Sequence, residues 1–233
     1  MFFFSHDEPL SELLVLIGRQ LKVMWGLGSS EESLLDAALK PALARILTNY
    51  NEVKEGLPRY RVGGQPAFSP LHSDQYGVFL HYLREETVQL DEKSTLSDKL
   101  FALNKMLHSI DFYSAKLPSH FMVSHPLGAI IGRADFKPGG HCLIYQQVTI
   151  GGNHGRDGEL NYPSIGDHVI LYAGASVIGR AQIGDFSILG MGAAVKNENV
   201  PSSSLVFGAS PNLIIKPLSL ERYAEFSPYR VNA

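Results

Sequence analysis

A chain of 233 residues, 45% hydrophobic and 18% charged, carries enough apolar side chains for one large or two small packed domains, which excludes a disordered protein. Its net charge of −3, with no block of like charges, argues against a nucleic-acid surface, and no apolar run approaches the roughly 20 residues of a membrane span. A single cysteine, Cys142, excludes an internal disulfide framework and a cysteine zinc cage. At the start, Met1-Phe2-Phe3-Phe4 is short for a signal peptide and lacks its basic flank, so a cytoplasmic protein is expected.

Residues 1–118 read as helices. Ser11 to Trp25 sets Leu13, Leu14, Ile17, Leu21 and Met24 on one stripe at three- and four-residue spacing. A second helix opens at Ser29, with Ser29 and Glu32 placed for a capping box, and Pro41 inside it predicts a kink or a break. Pro58 to Pro70, with Gly63-Gly64, reads as a loop. Helix resumes over His72–Leu90 and Thr95–Ile110. This half shows no catalytic motif and is expected to pack or oligomerise.

The second half changes period. Of 22 glycines, 14 lie between Gly128 and Gly192. Ile165, Leu171, Val177, Ile183, Leu189 and Val195 recur every six residues, each followed four residues later by a mostly small one: Val169, Ala175, Ala181, Ser187, Ala193, Asn199. The same register is read upstream through Ile130, Phe136, Cys142 and Val148. A six-residue period is the mark of a parallel β-helix, in which the aliphatic residue points inward and the small one turns the corner. Three hexads complete one coil, so eleven hexads from Ser124 predict three to four coils. A doubly wound α/β domain would need intervening helices of ten or more residues, and none fits. The 17 residues from Val148 to Ile165 exceed what the period needs, so about 154–164 must leave the coil as a polar, glycine-rich loop, a usual place for binding groups.

Ser124-His125-Pro126-Leu127-Gly128-Ala129-Ile130-Ile131-Gly132, then Val148-Thr149-Ile150-Gly151-Gly152, Ile165-Gly166-Asp167, Gly174-Ala175-Ser176-Val177-Ile178-Gly179 and Gly208-Ala209-Ser210-Pro211, resemble the serine O-acetyltransferase branch of the hexapeptide-repeat acyltransferases. The resemblance covers about residues 105–217. It implies an α+β chain in three parts: an α-helical N-terminal domain (1–118), a left-handed β-helix acyltransferase domain (119–217) and a C-terminal tail (218–233). It further implies acetyl-CoA as donor, a homotrimer with active sites between copies, and a dimer of trimers through the helical domain.

Transfer of acetyl from a thioester to a hydroxyl requires a base for the hydroxyl proton, and a histidine near neutral pKa suits the task, best when a carboxylate orients it. Among nine histidines, His125 matches the family's catalytic one, and Asp111, fourteen residues earlier, matches its dyad aspartate once one gap is set near Ala115-Lys116. On the acceptor side Ser124 stands where the serine enzymes have an acidic residue, and Asn161 and Tyr162 stand where they have an Arg-His pair that grips a carboxylate. A bidentate arginine grip is not replaced by Asn and Tyr, so an uncharged hydroxyl acceptor is expected, such as a sugar of a surface polysaccharide or a nucleotide sugar. Asp74 and Tyr76 of the helical half are further candidates for that pocket. Gly151, Gly152, Ala173 and Gly192 are candidates to line a groove for the pantetheine arm, with Lys196 and Lys216 for the CoA phosphates.

Alternatives stay open: a serine O-acetyltransferase proper, an amino-sugar N-acetyltransferase, or a trimeric scaffold without activity. A γ-carbonic-anhydrase-like metal enzyme would use His120 and His125, with only His81 near the place of a third ligand, so no metal is expected. Cys142 falls at an inward position, so direct transfer rather than an acetyl-cysteine is expected.

Overall fold

The computed structural model describes residues 3–5, 10–112, 116–155 and 158–231, and the chain separates into two compact units, 1–109 and 110–233. None of the described helices is long and apolar enough to cross a membrane.

The first unit holds α1 (Ser11–Trp25), α2 (Ser29–Asn51), α3 (Ser73–Leu90) and α4 (Leu96–His108). Leu13, Ile17 and Leu21 of α1 are fully buried, as their four-residue spacing demands, but Met24 at the end of the stripe is exposed. The cap of α2 is displaced by one residue from the Ser29–Glu32 pairing. Gly28 is the N-cap, and its N–H donates to Glu31 Oε2 at 3.0 Å. Glycine has no side chain to return that bond, so Glu31 supplies half a capping box. Pro41 does not break α2, which runs unbroken through it with Ala38, Leu39, Ala42 and Leu43 buried on both sides. An interior proline costs about 3 kcal/mol, and burial of two leucines at about 1.5–3 kcal/mol each offsets it. The Pro58–Pro70 stretch is more ordered than a loop: Pro58–Tyr60 makes a 3-10 turn, and Arg61–Val62 pairs with Gln65–Pro66. Gly63 and Gly64 have φ of 58° and 82°, the left-handed angles this tight hairpin requires.

The second unit is a parallel β-helix with three faces. The first face stacks His120–Ser124, His141–Tyr145, Val169–Leu171, Ile188–Leu189 and Ser204–Ala209. The second stacks Ile130–Ile131, Thr149–Gly151, Ser176–Ile178 and Ala194–Lys196. Asp135–Phe136, Ser164–Ile165, Gln182–Ile183 and Asn199–Val200 form the third. Five rungs on one face and four on each of the others make more than four coils, against the three to four expected.

The undercount has a physical source. From Ile165 to Val195 the inward residue recurs every six positions without error, but upstream the phase shifts. Ladder pairing sets Val123, Ile144 and Leu171 in one inward column and Ile131, Ile150 and Val177 in another. Cys142 and Val148 are buried, but Cys142 pairs with Val169, so it occupies the small position rather than the aliphatic one. Ile130 is exposed and Ile131 points inward in its place. The expected loop is a short antiparallel hairpin, Asn153–His154 against Leu160–Asn161, of which residues 156–157 lie outside the described set.

At the corner where the third face turns into the first, outward rings form a column. His120, His141, His168 and Phe186 stack at centroid separations of 4.3, 4.2 and 4.8 Å, with interplanar angles of 14° or less. His168 belongs to this outward column, yet it is buried. The C-terminal segment explains this: α5 (Leu220–Phe226), capped by Ser219 Oγ, sets Tyr223 edge-on against His168 and Phe186, and Tyr229 lies edge-on to His120 and His141. Burial holds the His168 pKa below its ordinary value, helped by the neighbouring His141. Asp167 Oδ1 accepts His141 Nδ1 at 3.0 Å and the N–H groups of His141 and His168 at 2.8 Å. These bonds outweigh burial and keep Asp167 below the usual carboxylate range.

Candidate active site

His125 stands at the corner that leads from the first face to the second. In the later coils two residues make this turn, as in Gln146-Gln147, whereas the first coil uses four, His125-Pro126-Leu127-Gly128. Gln147 N–H donates to Leu127 O at 2.9 Å, so the next coil rests on the enlarged corner. His125 has φ 52° and is exposed. The left-handed angle recurs at other corners, as at Gln147 (φ 58°), so the two extra residues are what set the His125 corner apart.

Asp111 enters the same coil from below. Its N–H donates to Ala129 O at 2.9 Å and its carbonyl accepts Ile131 N–H at 2.8 Å, a parallel bridge to Ile130. The aspartate is thus fastened to the strand that leaves the His125 corner. Ala115, used to place the gap between Asp111 and His125, lies outside the described residues.

The other acceptor candidates divide. Ser124 is half-buried and opposes Tyr145 on the next rung. Tyr145 and Tyr172 stack at 4.8 Å, and neither hydroxyl has a hydrogen-bond partner among the described residues. One rung on, a Cβ at Gly190 would lie 2.7 Å from the Phe207 ring, so Phe207 leans over that glycine and extends the column, with Lys216 Nζ at 5.9 Å from its centroid. These aromatic residues escaped the sequence reading because their spacings, 27 and 35 residues, follow the coils and not the hexads. Asn161 lies in the hairpin and Tyr162 at its exit, where the Arg133 guanidinium sits 4.4 Å over the Tyr162 ring. Asp74 is buried in the helical unit, 3.3 Å from Arg59 Nη1 and 3.5 Å from the Tyr60 hydroxyl. Tyr76 is buried there too and donates to Gln20 Oε1, so its hydroxyl is already used.

The donor candidates do not share one coil edge, as their small size alone suggested. Ala173 and Gly192 lie at the His125 corner, joined by Gly192 N–H to Ala173 O at 2.9 Å. Gly151 and Lys196 belong to a row at the other end of the second face. Gly152 is occupied by its own chain: a Cβ there would lie 2.6 Å from Asn161 O and 3.0 Å from the Tyr162 ring, so glycine lets the hairpin close.

Metal chemistry through His120 and His125 is not supported by the geometry. They lie at opposite ends of one five-residue strand, about 16 Å apart at ~3.3 Å per residue, and His120 is stacked under Tyr229. His81 is buried in the helical unit, 3.7 Å from Glu85. Among the described residues His141, Asp167 and His168 cluster closely enough for an ion. Yet imidazole donates in its ring plane, and planes stacked at 4.2 Å and 10° do not converge on one ion. Cys142 is buried and its thiol pKa is pushed well up, so it is not a nucleophile at neutral pH.

No family model matches the chain. The serine acetyltransferase of Staphylococcus xylosus is 30% identical over 175 residues, 75% of this chain and 78% of that protein. That of Synechococcus elongatus is 33% identical over 115 residues, 49% of this chain, so the match spans about half (46%) of that relative's length. The crystal structure of Neisseria gonorrhoeae serine acetyltransferase is similar with a TM-score of 0.69 at 21% identity, over 94% of this chain and 84% of that one, a likeness of fold. The fold is therefore a helical unit followed by a left-handed β-helix of hexapeptide repeats, and the chain belongs to the serine acetyltransferase family.

Proposed function

We propose that this chain is an acetyl-CoA-dependent O-acetyltransferase with a small hydroxyl acceptor, and that serine, named by its relatives, is that acceptor. The observation that carries the reading is the enlarged first corner: one coil departs from its period to project His125, and Asp111 is bridged to the strand that follows. His125 takes the acceptor hydroxyl proton as the oxygen attacks the thioester carbonyl, and Asp111 steadies the imidazolium that forms. The thiolate of CoA leaves, and the proton held on His125 is available to it.

The donor extends from His125 along the coils, past Ala173 and Gly192, with the Tyr145–Tyr172–Phe207 column and Lys216 beside it. Gly151 and Lys196 come from the far corner of a neighbouring copy in a homotrimer, which reconciles their separation within one chain. His125 is open to solvent in a single copy, in keeping with a site completed by a neighbour. The helical unit, 1–109, then serves assembly, including a dimer of trimers, and the enzyme works in the cytoplasm. Asn161 and Tyr162 taken alone suit a sugar, and Ser124 lacks the acidic charge of its family position, so saccharides remain the second acceptor class to test.

The deciding experiment is CoA release from acetyl-CoA with serine, sugars and nucleotide sugars in parallel. Turnover with serine that exceeds every sugar supports the reading. Turnover with a sugar alone replaces the acceptor, and no turnover together with no CoA binding removes the transferase.

A further inference from the structure

A serine acceptor brings a carboxylate to the site, and Ser124, Asn161 and Tyr162 offer it no positive charge. The structure sets one, Arg133, beside Tyr162. Ser164 pairs with Asp135 and Ile165 with Phe136, and the same register sets Tyr162 opposite Arg133. Asp135 N–H donates to Pro163 O at 2.9 Å, so the hairpin exit is tied to the Arg133 segment by the ladder itself. The hairpin returns tightly over Gly152, which fixes the Tyr162 ring, and the Arg133 guanidinium lies 4.4 Å above that ring. Arg133 has no ion pair or hydrogen bond among the described residues, and its exposed guanidinium carries five N–H donors. A cation stacked on an aromatic face and left without a counter-charge is preorganised for an anion: the stack restrains its long side chain, while the fork of N–H groups stays free.

Height along the stack agrees. Arg133 and His125 both belong to the first coil, at the two ends of its second-face strand, Ile130–Ile131. In the homotrimer proposed above, that separation within one chain is closed by setting the Arg133 corner of one copy against the His125 corner of the next. We infer that Arg133, presented by Tyr162, grips the carboxylate of an amino-acid acceptor whose hydroxyl reaches His125. The inference rests on the transferase reading above and selects among its acceptors, because a neutral sugar gives Arg133 nothing to bind.

The test uses the full-length protein with acetyl-CoA and two acceptors, L-serine and L-serinamide, which share hydroxyl and ammonium but differ in the carboxylate. Wild type should prefer serine at least tenfold in kcat/KM. Arg133→Gln should lose that preference, through a rise of about tenfold or more in KM for serine with serinamide nearly unchanged. Arg133→Lys should recover part of it as a point charge. Calorimetric binding of serine should weaken in parallel, and an unchanged Tm shows that the exposed substitution leaves the fold intact. Equal losses for both acceptors would assign Arg133 a structural role and overturn the inference, as would an unaltered preference. If wild type acetylates a sugar but neither serine nor serinamide, the inference falls while the transferase stands. If no acceptor releases CoA, both fall.

Discussion

The β-helix contains two kinds of coil. From Ile165 to Val195 the inward residues Ile165, Leu171, Val177, Ile183, Leu189 and Val195 keep a spacing of six throughout. Below Ile165 the ladder is as continuous, but the spacing is not: eight residues separate Val123 from Ile131, five Ile131 from Phe136, eight Phe136 from Ile144 and fifteen Ile150 from Ile165. Parallel pairing absorbs each insertion at a corner, where the backbone is exposed and extra residues need not disturb the core. His125, Arg133 and the hairpin with Asn161 and Tyr162 all fall on or beside these irregularities. The regular coils provide stiffness, and the candidate chemistry lies where regularity is given up.

That contrast can be broken by substitution. His125→Ala should lower turnover by about 10²–10⁴ while CoA binding and Tm hold, since the residue is exposed and carries no packing. Retained turnover in that variant removes the first corner from the chemistry. In the regular coils the expectation reverses: Leu189→Ala, a fully buried position, should cost about 2–5 kcal/mol of stability with kcat per folded molecule unchanged. Denaturant melts and active-site titration together separate the two effects.

Acid should destabilise the fold through its buried histidines. His108 at the end of α4 is buried, its pKa pushed down from 6.5 to about 4, with Asn104 Oδ1 at 2.7 Å from Nδ1. A histidine whose folded pKa is depressed is neutral in the fold, so its contribution is complete above pH 6.5 and is lost as pH falls toward about 4. His168 shifts in the same direction. Stability should therefore fall by about 3 kcal/mol over that window, and His108→Gln should flatten part of the decline in pH-dependent melts. The smallest effect is expected at the far end of the aromatic column. Phe207→Ala should raise the KM for acetyl-CoA severalfold and leave a truncated acetyl-thioester donor unaffected; an equal change for both donors would detach Phe207 from the nucleotide end.

Much of the fold was legible because a period of six is a local property: each hexad repeats the same inward and corner roles, and Ile165–Val195 showed it without reference to any contact. His125 was legible through its motif, and the hairpin through the surplus of residues before Ile165. Cys142, Val148 and Ile130 were assigned the wrong phase because an insertion at a corner changes no residue type, only the count. Arg133 was missed because nothing within its own segment marks it. Its partner Tyr162 lies 29 residues later, across an insertion whose length the coil alone reveals. The cover that α5 gives His168 left no mark near that residue, because α5 comes from Leu220–Phe226, far along the chain.

The amino-acid sequence by itself therefore determined the helical and repeating halves and the inward residues of the regular coils, all of which depend on spacing along the chain, while His125 as base is a proposal that rests on the resemblance of its motif. Only the tertiary structure decided which residues share a rung, that the donor candidates occupy two corners and that a cation stands over Tyr162. Those are consequences of register, and register is set by hydrogen bonds between residues 17 to 29 positions apart, which no local pattern records.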